Sequence, residues 1–477
     1  MGNETMKQID ELFYPSSIAI VGIPSDPSNP IAEMFTNPIF EFDFKGEVYL
    51  VNPRGGMIMG KMAYTNIMEI PGSVDYVIAT IPAHSAPKLL EDCVAKGVKA
   101  VQFFTSGFSE TGEERGKSLE TEMTKIARKG GVRVIGPNCM GLYCPEGKLS
   151  FWAEFPKESG HVGYICQSGG NTVHIVQMGA ARGVRFSKVV SYGNASDLNE
   201  SDFLEYLTYD PDTEIICIYI EGVKEGQRFI DVLTKAAGLK PVILLKGGVA
   251  EAGERAAASH TGSLASSDNI WDALCKKLGV IRVDSLEELS DMLVTFSFMP
   301  LIKSGNTAIA GVGGGASVLA ADDCEIQGLT VPQLPEEIKD RILEFTPHAG
   351  NSVSNPIDSQ LIIWEPKQFI KTIEIVSEWD NIDLIIGLLL STDVYPSWTS
   401  YQNMYELTSH TMLQAEKSSK KPMAMVLQPG IRPKMSKETF TAQQEFASAG
   451  IPVYPTVARA ANAIVKYIKY NNLRERL

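Results

Sequence analysis

Short apolar runs alternate with amphipathic stretches along almost the whole chain. Ser17 to Gly22, Gly46 to Val51, Ser73 to Ile81, Ala100 to Phe104 and Val132 to Ile135 read as strands, and Ser85 to Lys96 and Glu113 to Ala127 carry helical periodicity between them. The alternation restarts near Phe151. A strand within Gly160 to Asn171 is followed by a helical pattern (Val173, Val176, Ala180), then by strands Glu214 to Ile220 and Val242 to Leu245 and an amphipathic helix (Ile270, Leu274, Leu278). It restarts again near Gly305, with a strand in Asn306 to Ser317, a helix from Val318 to Ile326, strands Leu329 to Leu334, Leu384 to Leu390 and Pro422 to Leu427, and a closing helix Arg459 to Tyr470. Repeated strand–helix alternation predicts an α/β protein of parallel, doubly wound sheets, with ligand sites outside the C-terminal ends of the strands. The three blocks are residues 1–150, 151–300 and 301–477.

Several strand ends carry turns suited to anions. Those of the first block are Gly22-Ile-Pro-Ser25, Asn52-Pro-Arg-Gly-Gly56, Ile81-Pro-Ala83, Thr105-Ser-Gly-Phe108 and Gly136-Pro-Asn-Cys-Met-Gly141. The first lacks the later glycines of a dinucleotide fingerprint. Gly55-x4-Gly60-Lys61 lacks the hydroxyl a Walker loop needs, because Met62 follows, so chance explains it better. Gly311-x-Gly313-x-x-Ala316 does resemble the dinucleotide pattern, but the strand after it has no acid for a ribose; it fits NAD, another phosphate or close backbone packing. Ser354-Asn-Pro-Ile-Asp358 reads as a loop carrying an acid. In the second block, Gln167-Ser-Gly-Gly170 joins a strand to a helix. Backbone amides at Ser168, Gly169 and Gly170, with the positive end of the helix dipole, make either an anion site or a tight junction without a ligand.

The most distinctive stretch is Glu251-Ala-Gly-Glu-Arg-Ala-Ala-Ala-Ser-His-Thr-Gly-Ser-Leu-Ala265. It is expected to hold His260 on a loop. Ser259, Thr261 and Gly262 leave nothing bulky beside the ring, which suits a nucleophile toward phosphate; a capping or merely solvated histidine is the plainer option. Such a ring needs an acceptor on its other nitrogen, and Glu221, at the end of a buried strand, is the candidate. Lys246 either offsets phosphate charge or snorkels to the surface.

Composition narrows the partners. With 477 residues, 44% hydrophobic and 21% charged, the chain has ordinary globular material for several domains. A formal charge of −14 without a basic cluster argues against nucleic acid. The N-terminus lacks a signal pattern and no apolar run reaches membrane-span length, so a cytoplasmic protein is expected. Seven cysteines without Cys-x-x-Cys spacing read as reduced core thiols, and no metal site is expected.

Together these residues resemble a known family. Ala257-Ala-Ser-His-Thr-Gly-Ser-Leu-Ala265 with Gly279-Val-Ile-Arg-Val-Asp-Ser-Leu-Glu-Glu288, Gly136-Pro-Asn138, Gln167-Ser-Gly169, Ile220-Glu-Gly222 and Ser354-Asn-Pro356 are similar, in order, to segments of the α subunit of the NDP-forming acyl-CoA synthetases, relatives of succinyl-CoA synthetase. The resemblance implies a CoA-binding Rossmann-like domain followed by two flavodoxin-like domains. It implies the reversible reaction of a carboxylic acid, CoA and ATP to acyl-CoA, ADP and phosphate, through an acyl phosphate and a phosphohistidine at His260 held by Glu221. CoA is expected along Gly22, Ser25, Asn52, Pro53, Arg54, Ile81, Pro82, Ser106 and Asn138, with Arg54 meeting phosphate. Met140, Phe151, Trp152 and His161 are proximity candidates for the acyl group. Nothing resembles the ATP-grasp module, so a separate β subunit binding ATP or ADP and Mg2+ is expected, in an α2β2 assembly. Two positions depart from the pattern: Ile23 replaces a smaller residue and Ser266 replaces a glycine. A CoA- or acyl-CoA-binding regulatory member without turnover and an NAD-linked oxidoreductase are the other classes.

Overall fold

The computed structural model describes residues 3–26, 28–261, 268–391, 404–431 and 433–475. The chain divides into two compact units, residues 1–180 with 185–289, and residues 181–184 with 290–477. Among the described residues no helix is long and apolar enough to cross a membrane.

The first unit contains two sheets. Its chain begins α1 (Asn3–Phe13), β1 (Ser17–Val21), α2 (Pro30–Glu41), β2 (Glu47–Val51), β3 (Gly56–Ile58), β4 (Lys61–Tyr64), β5 (Tyr76–Ala79), α3 (Ala86–Lys96), β6 (Ala100–Phe103), α4 (Glu114–Gly130) and β7 (Arg133–Ile135). All five expected strands form, because runs such as Ser17–Val21 and Tyr76–Ala79 are buried on both faces, as parallel strands require. The sheet order is β3-β4-β2-β1-β5-β6-β7, with only β3 antiparallel to its neighbour. Counted along the parallel strands this is third, second, first, fourth, fifth, sixth, the Rossmann order, and it reverses between β1 and β5. The near-Walker segment spans the β3–β4 hairpin, where no helix follows, so it cannot cradle phosphates as a P-loop does.

The second sheet continues through β8 (Gly141–Tyr143), β9 (Val162–Cys166), α5 (Gly169–Ala181), β10 (Phe186–Ser191), α6 (Glu200–Tyr209), β11 (Ile215–Ile220), α7 (Gly226–Leu239), β12 (Val242–Lys246), α8 (Glu251–Thr261), α9 (Asp268–Leu278) and β13 (Ile281–Val283). Its order, β13-β12-β11-β9-β10-β8, is the flavodoxin-like arrangement with an antiparallel edge at β8. The order reverses between β9 and β11. One expectation fails here: residues 251–261 are helical rather than a loop, so His260 sits at a helix end. The run Arg255-Ala-Ala-Ala258 explains it, since alanine has the highest helix propensity and a Glu251–Arg255 pair at 2.7 Å spans one turn.

The two sheets of this unit are stitched together. The segment after β7 meets the turn after β10, with Asn194 N donating to Pro137 O and Ser196 N to Gly136 O, both at 2.9 Å. Gly193 (φ +55°) is there because an added Cβ would lie 2.3 Å from the carbonyl oxygens of both Pro137 and Asn138.

The second unit is entered through α10 (Leu286–Phe298) and holds β14 (Thr307–Gly311), α11 (Gly314–Gln327), α12 (Glu336–Leu343), β15 (Asn351–Ser352), β16 (Ile357–Ser359), α13 (Leu361–Trp364), α14 (Pro366–Ser377), β17 (Leu384–Leu389), α15 (Met404–Ser418), β18 (Met423–Leu427), α16 (Pro433–Ser448), β19 (Val453–Tyr454) and α17 (Val457–Arg474). Its order, β15-β16-β14-β17-β18-β19, is again flavodoxin-like. The expected strand Leu329 to Leu334 is an extended segment with a single bridge, Asn306 to Thr330, because Pro332 and Pro335 cannot donate to a ladder. Asp358, expected on a loop, lies on β16.

Gly193→Ala should lower the stability of the first unit by about 1–3 kcal/mol, as overpacking does. Urea denaturation of the purified chain measures this; an unchanged midpoint would contradict the close approach.

Candidate functional site

The second sheet concentrates chemistry where its order reverses. β9 ends at Cys166, and Gln167 beside it is 4% exposed. Its side-chain Oε1 accepts from the backbone N–H groups of Glu221 (2.8 Å) and Gly222 (3.3 Å), while its own N–H donates to Tyr219 O at 3.2 Å. The ends of β9 and β11 are thereby locked together. Ser168 caps α5: its Oγ accepts from Asn171 N at 3.3 Å and its carbonyl accepts from Thr172 Oγ1 at 2.6 Å. A Cβ on Gly169 would lie 2.8 Å from Met140 Cγ, whereas one on Gly170 would meet nothing within 4 Å. The first turn of α5 therefore opens outward at Gly170, presenting helix N-terminal amides that have no intrahelical acceptor.

Glu221 follows β11 directly and is half-buried; Tyr219 OH donates to its Oε1 at 3.2 Å. Next to it in the sheet, Ile220 pairs with Lys246. Lys246 is not a snorkelling surface residue: it is 6% exposed, its ammonium donates to the carbonyls of Gly247 and, at 3.5 Å, Gly248, and it lies 5.9 Å from the centre of the Trp271 ring. Burial pushes its pKa down, against the carboxylates of Glu221, Asp268 and Glu254, which favour the charged form. Burial also pushes the Cys166 thiol up to about 11, which leaves it an inert neighbour.

The helix that carries the histidine starts four residues past this carboxylate's neighbour Gly247. Gly248 (φ +72°) packs against α8 so closely that a Cβ would lie 2.9 Å from Ala257 Cβ. On its other side α8 lies against the turn Ser109–Thr111 of the first sheet. That turn is held by Asn194, whose Nδ2 donates to Glu110 (2.5 Å) and Glu120 (3.0 Å). Ser259, His260 and Thr261 occupy the last turn of α8, and their side chains lie outside the described residues, as do Gly262 and Ser266 altogether. The structure thus brings together Glu221, Ser168, Gly169, Gly170 and Lys246.

A second set gathers where the first sheet reverses. Gly22 (φ +91°) has no room for a Cβ, which would lie 2.7 Å from Ile81 Cγ2. Asn52 is 9% exposed and staples two turns, its Nδ2 donating to Ile23 O at 2.7 Å and its Oδ1 accepting from Arg54 N at 2.8 Å. The isoleucine that departs from the family pattern is buried at 1% exposure, so its bulk enters the core and not the turn. Thr105 Oγ1 donates to Ile81 O (2.5 Å) and its carbonyl accepts from Asn138 N (2.9 Å), which brings Asn138 (φ +59°) to the same edge. Ser25, Pro53, Arg54, Pro82 and Ser106 are exposed along this rim. Of the acyl candidates, Met140 touches the α5 turn, Phe151 and Trp152 pack on Phe155, and His161 immediately precedes β9, at the opposite end of that strand from Gln167.

In the third sheet Asp358 Oδ1 accepts from Gly313 N at 2.7 Å. A carboxylate therefore already occupies the glycine-rich turn where a pyrophosphate would sit, which disfavours the dinucleotide option. Tyr219, Asn194, Glu110 and Glu120 were not singled out from the sequence. Tyr219, near the end of β11, stands two residues before Glu221, a spacing that puts both on one face of extended chain and was available as a signal; the other three are joined only by the fold.

Comparison with known proteins agrees with this geometry. Residues 16–145 match the CoA binding domain and residues 159–296 the succinyl-CoA ligase like flavodoxin domain. The chain is 36% identical to the acetate–CoA ligase [ADP-forming] II subunit alpha of Pyrococcus furiosus, over 97% of this chain and 98% of that one. It is 37% identical to acetate–CoA ligase [ADP-forming] I of Archaeoglobus fulgidus over 80% of this chain but 55% of that longer protein. In structure it is similar to the Ca. Korarchaeum cryptofilum dinucleotide forming acetyl-coenzyme A synthetase 1 solved with phosphate and ADP, with TM-score 0.79, 30% identity, and 98% and 97% of the two chains covered.

Because Lys246 is held below its ordinary value of 10.5, the cost of burying its charge is present in full below the folded pKa and is relieved as pH rises from there toward 10.5. Lys246→Met should be at least as stable as the parent at neutral pH, with the difference shrinking as the solution is made alkaline. Denaturation midpoints against pH measure it; a gap that widens with pH would refute the assignment.

Proposed function

Because the chain belongs to the NDP-forming acyl-CoA synthetase family, we propose that its second sheet is the phosphoryl-transfer centre of an α subunit that interconverts a carboxylic acid, CoA and ATP with acyl-CoA, ADP and phosphate. The observation that carries this reading is the convergence of Glu221 with the open first turn of α5 at the reversal of that sheet. A carboxylate and a helix N-terminus side by side are what a histidine phosphorylated in place requires: one fixes the ring, the other meets the new negative charge.

The chemistry balances through two exchanges. Inorganic phosphate attacks the acyl carbon of acyl-CoA; the C–O bond forms, the C–S bond breaks, and CoA leaves as its thiol, giving an acyl phosphate. One unprotonated ring nitrogen of His260 then attacks the phosphorus of that acyl phosphate; the P–N bond forms, the P–O bond to the acyl group breaks, and the carboxylate leaves. The second nitrogen keeps its proton, directed at Glu221. An oxygen of ADP then attacks the same phosphorus, the P–N bond breaks, and ATP departs with the imidazole restored. Every step runs in either direction. Ser168, Gly169 and Gly170 stabilise the phosphoryl group through backbone N–H groups. Lys246, as a buried cation beside Glu221, offsets charge.

CoA supplies the thiol and is assigned to the first sheet. The fit rests on the exposed rim of Ser25, Pro53, Arg54, Pro82 and Ser106 around Gly22, Asn52, Ile81 and Asn138. Arg54 meets a phosphate. Residues 1–150, 151–300 and 301–477 are the proposed CoA-binding, phosphohistidine and second flavodoxin-like domains. ATP or ADP with its magnesium is assigned to an ATP-grasp partner chain in an α2β2 assembly; the longer Archaeoglobus relative, of which this chain spans 55%, has room for such a module within one polypeptide.

His260→Ala should abolish thioester formation from ATP while leaving CoA affinity nearly unchanged. Glu221→Gln should slow it roughly 10²- to 10⁴-fold, as loss of a ring-orienting or proton-handling group does. Release of CoA thiol measured with the partner present, and calorimetric titration with CoA, check both; a variant lacking the histidine but retaining activity ends the proposal. The chain without its partner should neither consume ATP nor form acyl-CoA, and a coupled ADP assay decides that.

A further inference from the structure

We propose that Tyr219 is a positioning residue for Glu221, holding one oxygen of its carboxylate. This rests on the phosphohistidine reading above and adds a residue to it. Residues 219 and 221 point to the same face of the chain at the end of β11, and the phenol donates to Glu221 Oε1 at 3.2 Å. Burial, reinforced by the charge of Glu221, pushes the phenol above its ordinary range, so it stays protonated and donates.

The surroundings keep this pair in one arrangement. Gly247, on the neighbouring strand end, leaves the phenol its space, since a Cβ there would lie 2.6 Å from Tyr219 OH and 3.4 Å from Glu221 Cγ. Gln167 fixes the backbone of Glu221 from the other side. With the backbone held by one residue and one carboxylate oxygen by another, the plane of the carboxylate is set, which is what orienting an imidazole requires. Tyr219 touches no reacting atom; it acts through Glu221.

The experiment follows acid-labile labelling of the chain by radiolabelled acetyl phosphate in single turnover for the parent, Tyr219→Phe, Glu221→Gln and the double variant. Tyr219→Phe should slow labelling about 10- to 100-fold, the range for losing a hydrogen bond to a charged group, and leave CoA affinity unchanged. In the Glu221→Gln background the same change should cost little more. Gly247→Ala, which crowds the phenol, should slow labelling likewise even if Tyr219→Phe folds poorly. Equal losses in both backgrounds overturn the inference. A parent chain that takes no label overturns the phosphohistidine reading instead, so the two failures are distinguishable.

Discussion

Two hydrogen bonds to one amide oxygen carry the geometry of the whole centre. Gln167 Oε1 receives the N–H groups of Glu221 and Gly222, and by doing so closes the gap that opens wherever a doubly wound sheet changes direction. Helices on either side of a reversal diverge, leaving a crevice with unpaired backbone at its floor. A glutamine 4% exposed at that floor satisfies the backbone and leaves the carboxylate and the helix start facing outward. Without it Glu221 would sit on a frayed strand end, and the position of any ring it holds would be undefined.

Side-chain amides also tie backbone in the other two sheets. Asn52 staples the turns after β1 and β2, and Asn355, 8% exposed, accepts from Ile309 N and donates to Thr307 O and Pro332 O beside β14. What differs is the charge next to the staple. In the third sheet Asp358 already takes the amide of Gly313, so the helix start is neutralised by the protein itself. In the second the corresponding turn ends in Gly170, open on its outer side, and can receive an external anion. Three sheets of related architecture thus separate by the placement of one acid.

The reaction assigned to the centre sets opposing demands on charge. In the proposed centre a phosphoryl group would bring negative charge to a crevice that already contains Glu221, and fixed groups stand ready to offset it: amides at the start of α5 and the buried ammonium of Lys246. Fixed dipoles and a desolvated cation need no reorganisation when charge arrives, which is why they serve better than mobile surface lysines. Placing α8 against both Gly248 and the Ser109–Thr111 turn joins the phosphoryl centre and the first sheet through one helix.

Much of this was legible in residue order alone. Buried strands announce themselves as apolar runs, and the turns after them as glycine and asparagine, because a parallel sheet covered on both faces tolerates little else; hence the three sheets, the carboxylate at the end of β11 and the Ser168 to Gly170 turn were all readable. The helix over Glu251–Thr261 was misjudged because small residues flanking His260 suggested a loop, while the alanines before it favour a helix. The hairpin at Gly56 to Tyr64 and the failed strand at Leu329 depended on pairing partners far along the chain. So did the burial of Lys246, the clasp of Asn194 on Glu110 and Glu120, and the hydrogen bond from Tyr219 to Glu221. Local composition determines which segments are strands, helices or turns; which side chains meet across a reversal is decided only when distant strands pair, since hydrogen bonds of a few ångströms carry no trace in a one-dimensional pattern.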